Sequence, residues 1–150
     1  MKELTLEPYA ARLHWQLPVA TDGQGWAAIL AEHLESLARR CDETGQNVIG
    51  HIKGLAVLPG GGYVRVNVVS PERPADVEST ALGQCADLNF DLNVLVYGLP
   101  VGQVKWLTHE TAASVAMHRG GQVDVEPISQ EEFAESHSHY EHELGSDPSN

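Results

Sequence analysis

Basic residues are scarce in this sequence. Its 150 residues include nine Lys and Arg against 21 Asp and Glu, which gives a formal net charge of −12 at pH 7. Proteins bind polyphosphates and anionic headgroups by neutralising their charges with Lys and Arg, and an acidic surface repels them. The composition therefore argues against nucleic acid and against anionic membrane surfaces as partners.

Long apolar runs are also missing. No stretch approaches the ~20 consecutive apolar residues that a membrane-spanning helix needs. The first eight residues lack the basic region and the continuous apolar region of a secretory signal. We therefore expect a cytoplasmic protein that does not bind membranes.

Cysteines and the common catalytic motifs give no positive signal. Cys41 and Cys85 lie far apart and form no CxxC pair, which argues against a disulfide framework and against a zinc knuckle. The sequence also has no GxxxxGK[ST], GxGxxG, HExxH or GxSxG motif. Enzyme classes with local signatures are thus disfavoured, and we assign neither a catalytic residue nor a cofactor.

The sequence has enough hydrophobic residues for one globular domain. They make up 42% of the chain, and charged residues make up 20%. Residues 129–150 differ, because they carry six acidic residues and no Lys or Arg. We expect an α+β globular domain over residues 1–128 and a mostly disordered, histidine-containing acidic tail over 129–150, with at most a helical turn near Gln130–Glu135.

Hydrophobic periodicity predicts the start of the fold. Apolar residues alternate over Ala10–Leu17, which indicates a half-buried strand that ends at Pro18. An apolar stripe with three- and four-residue steps over 26–41 indicates an amphipathic helix. Thr21 and Gln24 are spaced as a capping box, so the helix should begin there.

A hairpin and a long connection follow. Two β-rich runs, 48–58 and 63–70, are joined by a glycine-rich turn. Residues 70–87 predict a long polar connection with at most one helical turn near 75–82, and connections of this length are often binding loops. The clearest signal is the alternation over Leu88–Tyr97, which predicts a strand with one apolar and one polar side.

The segment after Pro100 has two interpretations. Pro100 could be the first residue of a helix that runs to His118. Alternatively, residues 103–107 form a strand and Thr108 caps a shorter helix. We favour the second, because Gly102 and the β-branched and aromatic residues near it are poor helix formers.

The longer helix would have an apolar outer stripe formed by Trp106, Ala113 and Met117. An exposed stripe of this kind needs a cover. A second copy of the chain is the simplest one, so we expect a homo-oligomer.

The order of these elements, completed by a short strand over 122–126, predicts the fold class. We expect a single α+β domain with a largely antiparallel sheet of about five strands and two helices packed on one face. The arrangement has some likeness to a split β-α-β unit.

Polar residues at alternate strand positions are the main functional signal. Asn and Asp are uncommon in strands, yet three of them alternate within Leu88–Tyr97. Alternate residues share one side of a sheet. A solvated side without a ligand is one interpretation. The other is a surface that binds a ligand through seven side chains: His51, Lys53, Arg65, Asn67, Asn89, Asp91 and Asn93.

Three histidines in the tail are candidate metal ligands. His137, His139 and His142 lie within six residues and are flanked by carboxylates, a set that could bind Ni²⁺, Cu²⁺ or Zn²⁺. Ordering a disordered segment opposes such binding, so a solvated tail is the simpler interpretation.

Three functions are consistent with this sequence. The first is a non-catalytic module, homo-oligomeric, that binds a protein partner or a small polar ligand through the polar sheet side and the 70–87 connection. The second is a small enzyme with acid–base residues among His51, Lys53, Arg65 and Asp91, which would have to converge in a pocket. The third is a metal-handling accessory protein that uses the tail histidines.

Overall fold

A computed structural model describes residues 6–45, 47–80 and 83–136. Its elements follow the order β1 (Tyr9–Asp22), α1 (Gly23–Glu43), β2 (Val48–Val57), β3 (Tyr63–Val68), β4 (Asp76–Ser79), β5 (Gln84–Tyr97), α2 (Val101–His118) and β6 (Gln122–Ile128). A short helix, α3, covers residues 130–136, where a helical turn is predicted. The predicted α+β class and antiparallel sheet are confirmed, and the described residues form six strands and three helices rather than about five and two.

The six strands form one antiparallel sheet in the order β4-β3-β2-β5-β1-β6. The units β1-α1-β2 and β5-α2-β6 interleave their strands as β2-β5-β1-β6, which is the split β-α-β arrangement. β3 and β4 extend this arrangement beyond β2. The outermost strands of the sheet are β4 and β6.

The core lies between the sheet and the two long helices. β1 and β5 pair so that Leu13 is opposite Phe90, and both side chains are fully buried. The predicted stripe of α1 packs onto this layer through Trp26, Ile29, Leu30, His33, Leu34, Leu37 and Cys41, all buried. Among the helices of the described residues, none is both long and apolar enough to cross a bilayer.

The junction between β1 and α1 differs from the prediction. β1 does not end at Pro18 but continues to Asp22, with an irregular register against β5 between Gln16 and Thr21. Proline is tolerated because β6, the neighbour on the other side, pairs no further than Gln16. The predicted Thr21–Gln24 capping box is also wrong, since Asp22 caps α1 by accepting a hydrogen bond from the Gly25 amide at 2.8 Å.

The segment after Pro100 forms the longer helix. The favoured strand over 103–107 is wrong, and Thr108 lies inside α2, where its hydroxyl donates to the Val104 carbonyl at 2.8 Å. Val104, Thr108 and Thr111 are all buried on the side that faces the core. Their packing outweighs their low helix propensity.

The 70–87 connection contains a strand rather than a helical turn. β4 pairs with β3, and Val77 is opposite Val66. All four β4 residues are exposed, and two of them are the acidic Asp76 and Glu78. Four residues are too few for a clear alternation of apolar and polar residues, so hydrophobic periodicity does not predict this strand.

Gly54 marks a close contact within the sheet. We expect from the sequence that Gly50 and Gly54 allow close packing of a helix. Instead, a Cβ at Gly54 would lie 2.2 Å from Cζ of Phe90, so the glycine makes room for a ring of the neighbouring strand. Gly50 lies at a register irregularity between β2 and β5. The helix-packing interpretation of Gly54 is therefore wrong.

His33 is a core histidine, as its place on the apolar stripe predicts. Its Nε2 lies 3.1 Å from Thr111 Oγ1 and 3.3 Å from the Thr108 carbonyl, and its ring meets Trp15 edge-on. Its Nδ1 has no hydrogen-bond partner within the described part of the chain. Complete burial lowers the pKa of His33 to about 4 from an ordinary value of 6.5.

Acid should therefore destabilise the protein through His33. The folded state has the lower pKa, so it favours the neutral ring; this stabilisation is complete above about pH 6.5 and is lost as the pH falls toward 4. We expect His33→Gln, which cannot titrate, to remove roughly 2–3 kcal/mol of pH dependence between pH 7 and 4.5. Urea unfolding of both proteins across this range measures the difference. Parallel stability curves would contradict the prediction.

Candidate functional site

The seven predicted residues lie on the sheet face opposite α1 and α2, which we call the polar face. Cross-strand pairing places them in rows. In one row, Lys53 on β2 is flanked by Asn93 on β5 and Asn67 on β3. In the next row, Leu55 on β2 lies between Asp91 and Arg65. The shared face follows from the alternation, and the rows follow from the register, which the sequence does not reveal.

The strongest charged contact on the polar face is a bidentate ion pair between β1 and β5. Arg12 donates from Nε and Nη2 to the two carboxylate oxygens of Asp91, at 2.8 and 3.0 Å. The Asp91 side chain is only 12% exposed, so this pair is largely shielded from solvent. The hydrogen bond to Asp91 raises the pKa of Arg12, which keeps the guanidinium charged.

A second polar contact lies one row further along the same two strands. His14 Nδ1 is 2.9 Å from Oδ1 of Asn89, and His14 Nε2 is 3.7 Å from an Asp87 oxygen. Arg12, His14 and Asn89 border a depression of about 210 Å³ whose rim includes Asp124 and Glu126 of β6. The depression therefore carries both charge signs.

Arg65 belongs to a separate cluster at the β3–β4 end of the polar face. Its guanidinium lies 3.6 Å from a Glu78 oxygen and 5.3 Å from the centre of the Tyr63 ring. The Tyr63 hydroxyl also donates to Glu78. Arg65 and Asp91 flank Leu55 on opposite sides, so their backbones are separated by two strand spacings, about 10 Å.

His51 lies away from both charged clusters. It is opposite Leu95 on β5 and is half-buried. Burial, and to a smaller degree the charge of Lys53, lowers the pKa of His51, which favours the neutral ring. The backbone register thus places Arg65 and Asp91 two strands apart in one row and His51 in a different row, and the convergence that acid–base catalysis would require is not built by these three residues.

The helix α3 lies across the centre of the polar face. Gln130 and Asn93 exchange two amide hydrogen bonds, at 3.0 and 3.2 Å. Phe133 is 4% exposed, and the Lys53 ammonium lies 5.9 Å from the centre of its ring. Ser136 donates to the Asp91 carboxylate at 3.0 Å. Three of the seven predicted residues are therefore in contact with a short helix of the same chain.

The predicted metal ligands His137, His139 and His142 lie outside the described residues. Within 6–45, 47–80 and 83–136, no group of three or more His, Cys, Asp or Glu side chains is placed to hold a metal ion. Of the two cysteines, Cys41 is buried and Cys85 partly buried, and burial raises the pKa of both thiols, that of Cys41 to about 11. Neither thiol is activated as a nucleophile.

The sequence-based prediction missed several residues of the site. Arg12 and His14 fall on the polar side of the first predicted strand, and only an unknown pairing with β5 connects them to Asp91 and Asn89. Gln130, Phe133 and Ser136 lie in the acidic segment expected to be mostly disordered. The sequence does contain one clue there, since Phe133 is the single large apolar residue between Ile128 and Tyr140.

Removal of the Asp91 carboxylate should destabilise the fold. Asp91→Ala leaves the Arg12 guanidinium, only one third exposed, without its partner. We expect a loss of about 1–3 kcal/mol in the free energy of unfolding. The control is Asp124→Ala, an exposed carboxylate on the same face, which should change stability by less than about 0.5 kcal/mol. Chemical denaturation of the two variants tests this, and equal losses would contradict it.

No protein-family model matches the chain, and no curated protein sequence is significantly similar to it.

Proposed function

We propose that this protein is a non-catalytic binding module whose polar face recognises a segment of a protein partner. The observation that carries the proposal is the seating of α3 on that face. Asp91 and Asn93 bind its side chains directly, and Lys53 lies against its aromatic ring. A surface that already holds one short helix through side-chain contacts has the chemistry to hold another.

The shape of the polar face favours a peptide over a small molecule. Pockets for small ligands typically have volumes of ~300–1,000 Å³ and enclose most of the ligand. The depression beside Arg12 and His14 has about 210 Å³ and is open to solvent. In contrast, the rows of the polar face extend over five strands, from Glu126 on β6 to Arg65 on β3. An extended surface with polar groups in rows suits a protein segment.

The two variants Asn89→Lys and Lys53→Glu test the polar face as a binding surface. Asn89→Lys adds a positive charge at an exposed position of β5, and Lys53→Glu reverses the charge at a half-buried position of β2. We expect each to lose, by at least about tenfold, the cross-linked partner that wild-type protein captures in its native cells. The control is Ser114→Lys, an exposed position on α2 at the other side of the sheet, which should retain the partner. Quantitative mass spectrometry reads the result, and equal capture by all four proteins would refute the proposal.

The protein is also proposed to self-associate through the outer side of α2. Trp106 is 55% exposed and Met117 is 77% exposed, and the intervening Ala113 is exposed too. At 100° per residue, these three positions lie within about 40° of one another around the helix. They form an apolar stripe opposite the buried side of α2, as the longer-helix interpretation predicts.

A twofold axis would make this stripe complementary to itself. If two α2 helices pack antiparallel about a point midway between residues 111 and 112, Trp106 of one copy lies on Met117 of the other. Contacts of sulfur with aromatic rings are favourable, and isologous pairing is the commonest geometry of homodimers. The Arg40 guanidinium, 5.8 Å from the Trp106 ring centre, lies at the border of the stripe.

Self-association predicts a concentration-dependent dimer that Trp106→Glu disrupts, because the new carboxylate would be buried in the interface. The control is Val19→Glu, since Val19 is 75% exposed on β1 and is not part of the stripe. Sedimentation velocity over a range of concentrations measures the effect. A wild-type protein that remains monomeric throughout, or a Val19→Glu variant that dissociates equally, would contradict the prediction.

A further inference from the structure

The side of α3 that faces the sheet has a regular pattern. Gln130, Phe133 and Ser136 follow at three-residue steps, so they share one side of the helix. Gln130 contacts Asn93, Phe133 lies over Lys53, and Ser136 contacts Asp91. The three acidic residues of α3 are exposed: Glu131, Glu132 and Glu135. The recognised pattern is therefore an amide, an aromatic ring and a hydroxyl on one side of a helix.

The attachment of α3 is small in comparison with that of α1 and α2. Phe133 is its one buried apolar side chain, and it lies outside the main core cluster. The helix has seven residues, whereas isolated helices shorter than ~12 residues are marginal in water. Its helical state therefore depends on its contacts with the polar face, and loss of those contacts would release it.

The surface beneath α3 is suited to being uncovered. A cover that never leaves is held best by apolar side chains, because their burial is the main source of stability. Three of the side chains that α3 contacts are an ammonium, an amide and a carboxylate, all of which water can solvate when α3 leaves. Two apolar side chains, Leu55 and the small Ala10, are also buried on this face. Asp91 would also keep its ion pair with Arg12. The folded domain therefore tolerates both the covered and the uncovered surface.

We propose that α3 occupies the polar face as an internal substitute for a helix of the partner and is displaced when the partner binds. The partner helix carries an amide, an aromatic and a hydroxyl side chain at successive three-residue steps. This inference rests on the proposed function, and it adds the chemistry of the partner and the competition. A tethered segment has a high effective concentration, so α3 raises the dissociation constant of every competitor by the reciprocal of the fraction of time that α3 is released.

The probe is a synthetic peptide of residues 128–136, added to the full-length protein and followed by NMR. In the Phe133→Ala variant, α3 loses its buried side chain and no longer competes with the peptide. The variant should therefore bind the peptide about tenfold more tightly than wild-type protein does. A tenfold difference corresponds to α3 being bound to the polar face about 90% of the time in wild-type protein. Chemical shift changes should lie along β5 and β2. The control variant, Glu135→Ala, alters an exposed α3 residue and should behave as wild type.

Two further measurements make the result specific. A peptide with alanine in place of its phenylalanine should not bind, and Asn93→Ala in the Phe133→Ala protein should weaken the intact peptide. If Phe133→Ala does not fold, Gln130→Ala with Ser136→Ala removes the polar contacts instead and should give the same direction of change. Equal binding to wild type and variant, or binding to neither, would overturn the proposed competition.

This outcome is separable from that of the proposed function. If Asn89→Lys and Lys53→Glu lose the cellular partner while the peptide shows no preference for Phe133→Ala, the polar face binds partners and α3 is only a structural cover. If the partner is captured independently of the polar face, the proposed function fails, and the inference fails with it.

Discussion

The pairing of β1 with β5 at the centre of the sheet is the constraint on which both faces of the molecule depend. It places Leu13 opposite Phe90 and, one residue earlier on β1, Arg12 opposite Asp91. The first pair is part of the core, and the second is the shielded ion pair of the polar face. A slip by one residue would send charged side chains into the core and apolar ones outward. One register therefore determines the interior and the candidate site together.

The elements with strong hydrophobic periodicity could be predicted from the sequence. The alternation of β5 and the stripe of α1 both reflect burial on one side, and the structure confirms both. The start of α2 could not be read in this way, because local propensity near Gly102 opposes a helix while burial of Val104 and Thr108 stabilises it. β4 was missed for a different reason: four exposed residues leave almost no hydrophobic signal.

The candidate site was predictable as a face but not as a set of contacts. Alternation alone places Asn89, Asp91 and Asn93 on one side of β5. It cannot show that Arg12 reaches Asp91 or that Leu55 separates Asp91 from Arg65, because such neighbours depend on pairing between distant segments. The contact of Phe133 with the polar face likewise depends on the approach of a distant segment. An isolated phenylalanine within an acidic segment signals an anchor, but the surface that it packs on is defined only by the folded sheet.

The composition of the two outer strands has a consequence for behaviour at high concentration. Unpaired strand edges can add strands from other molecules and so lead to aggregates, and proteins protect such edges with charge, proline and short length. β4 has four residues, two of them acidic, and β6 carries Asp124, Glu126 and Pro127. Borders of this composition disfavour the addition of a strand from another molecule at either edge of the sheet.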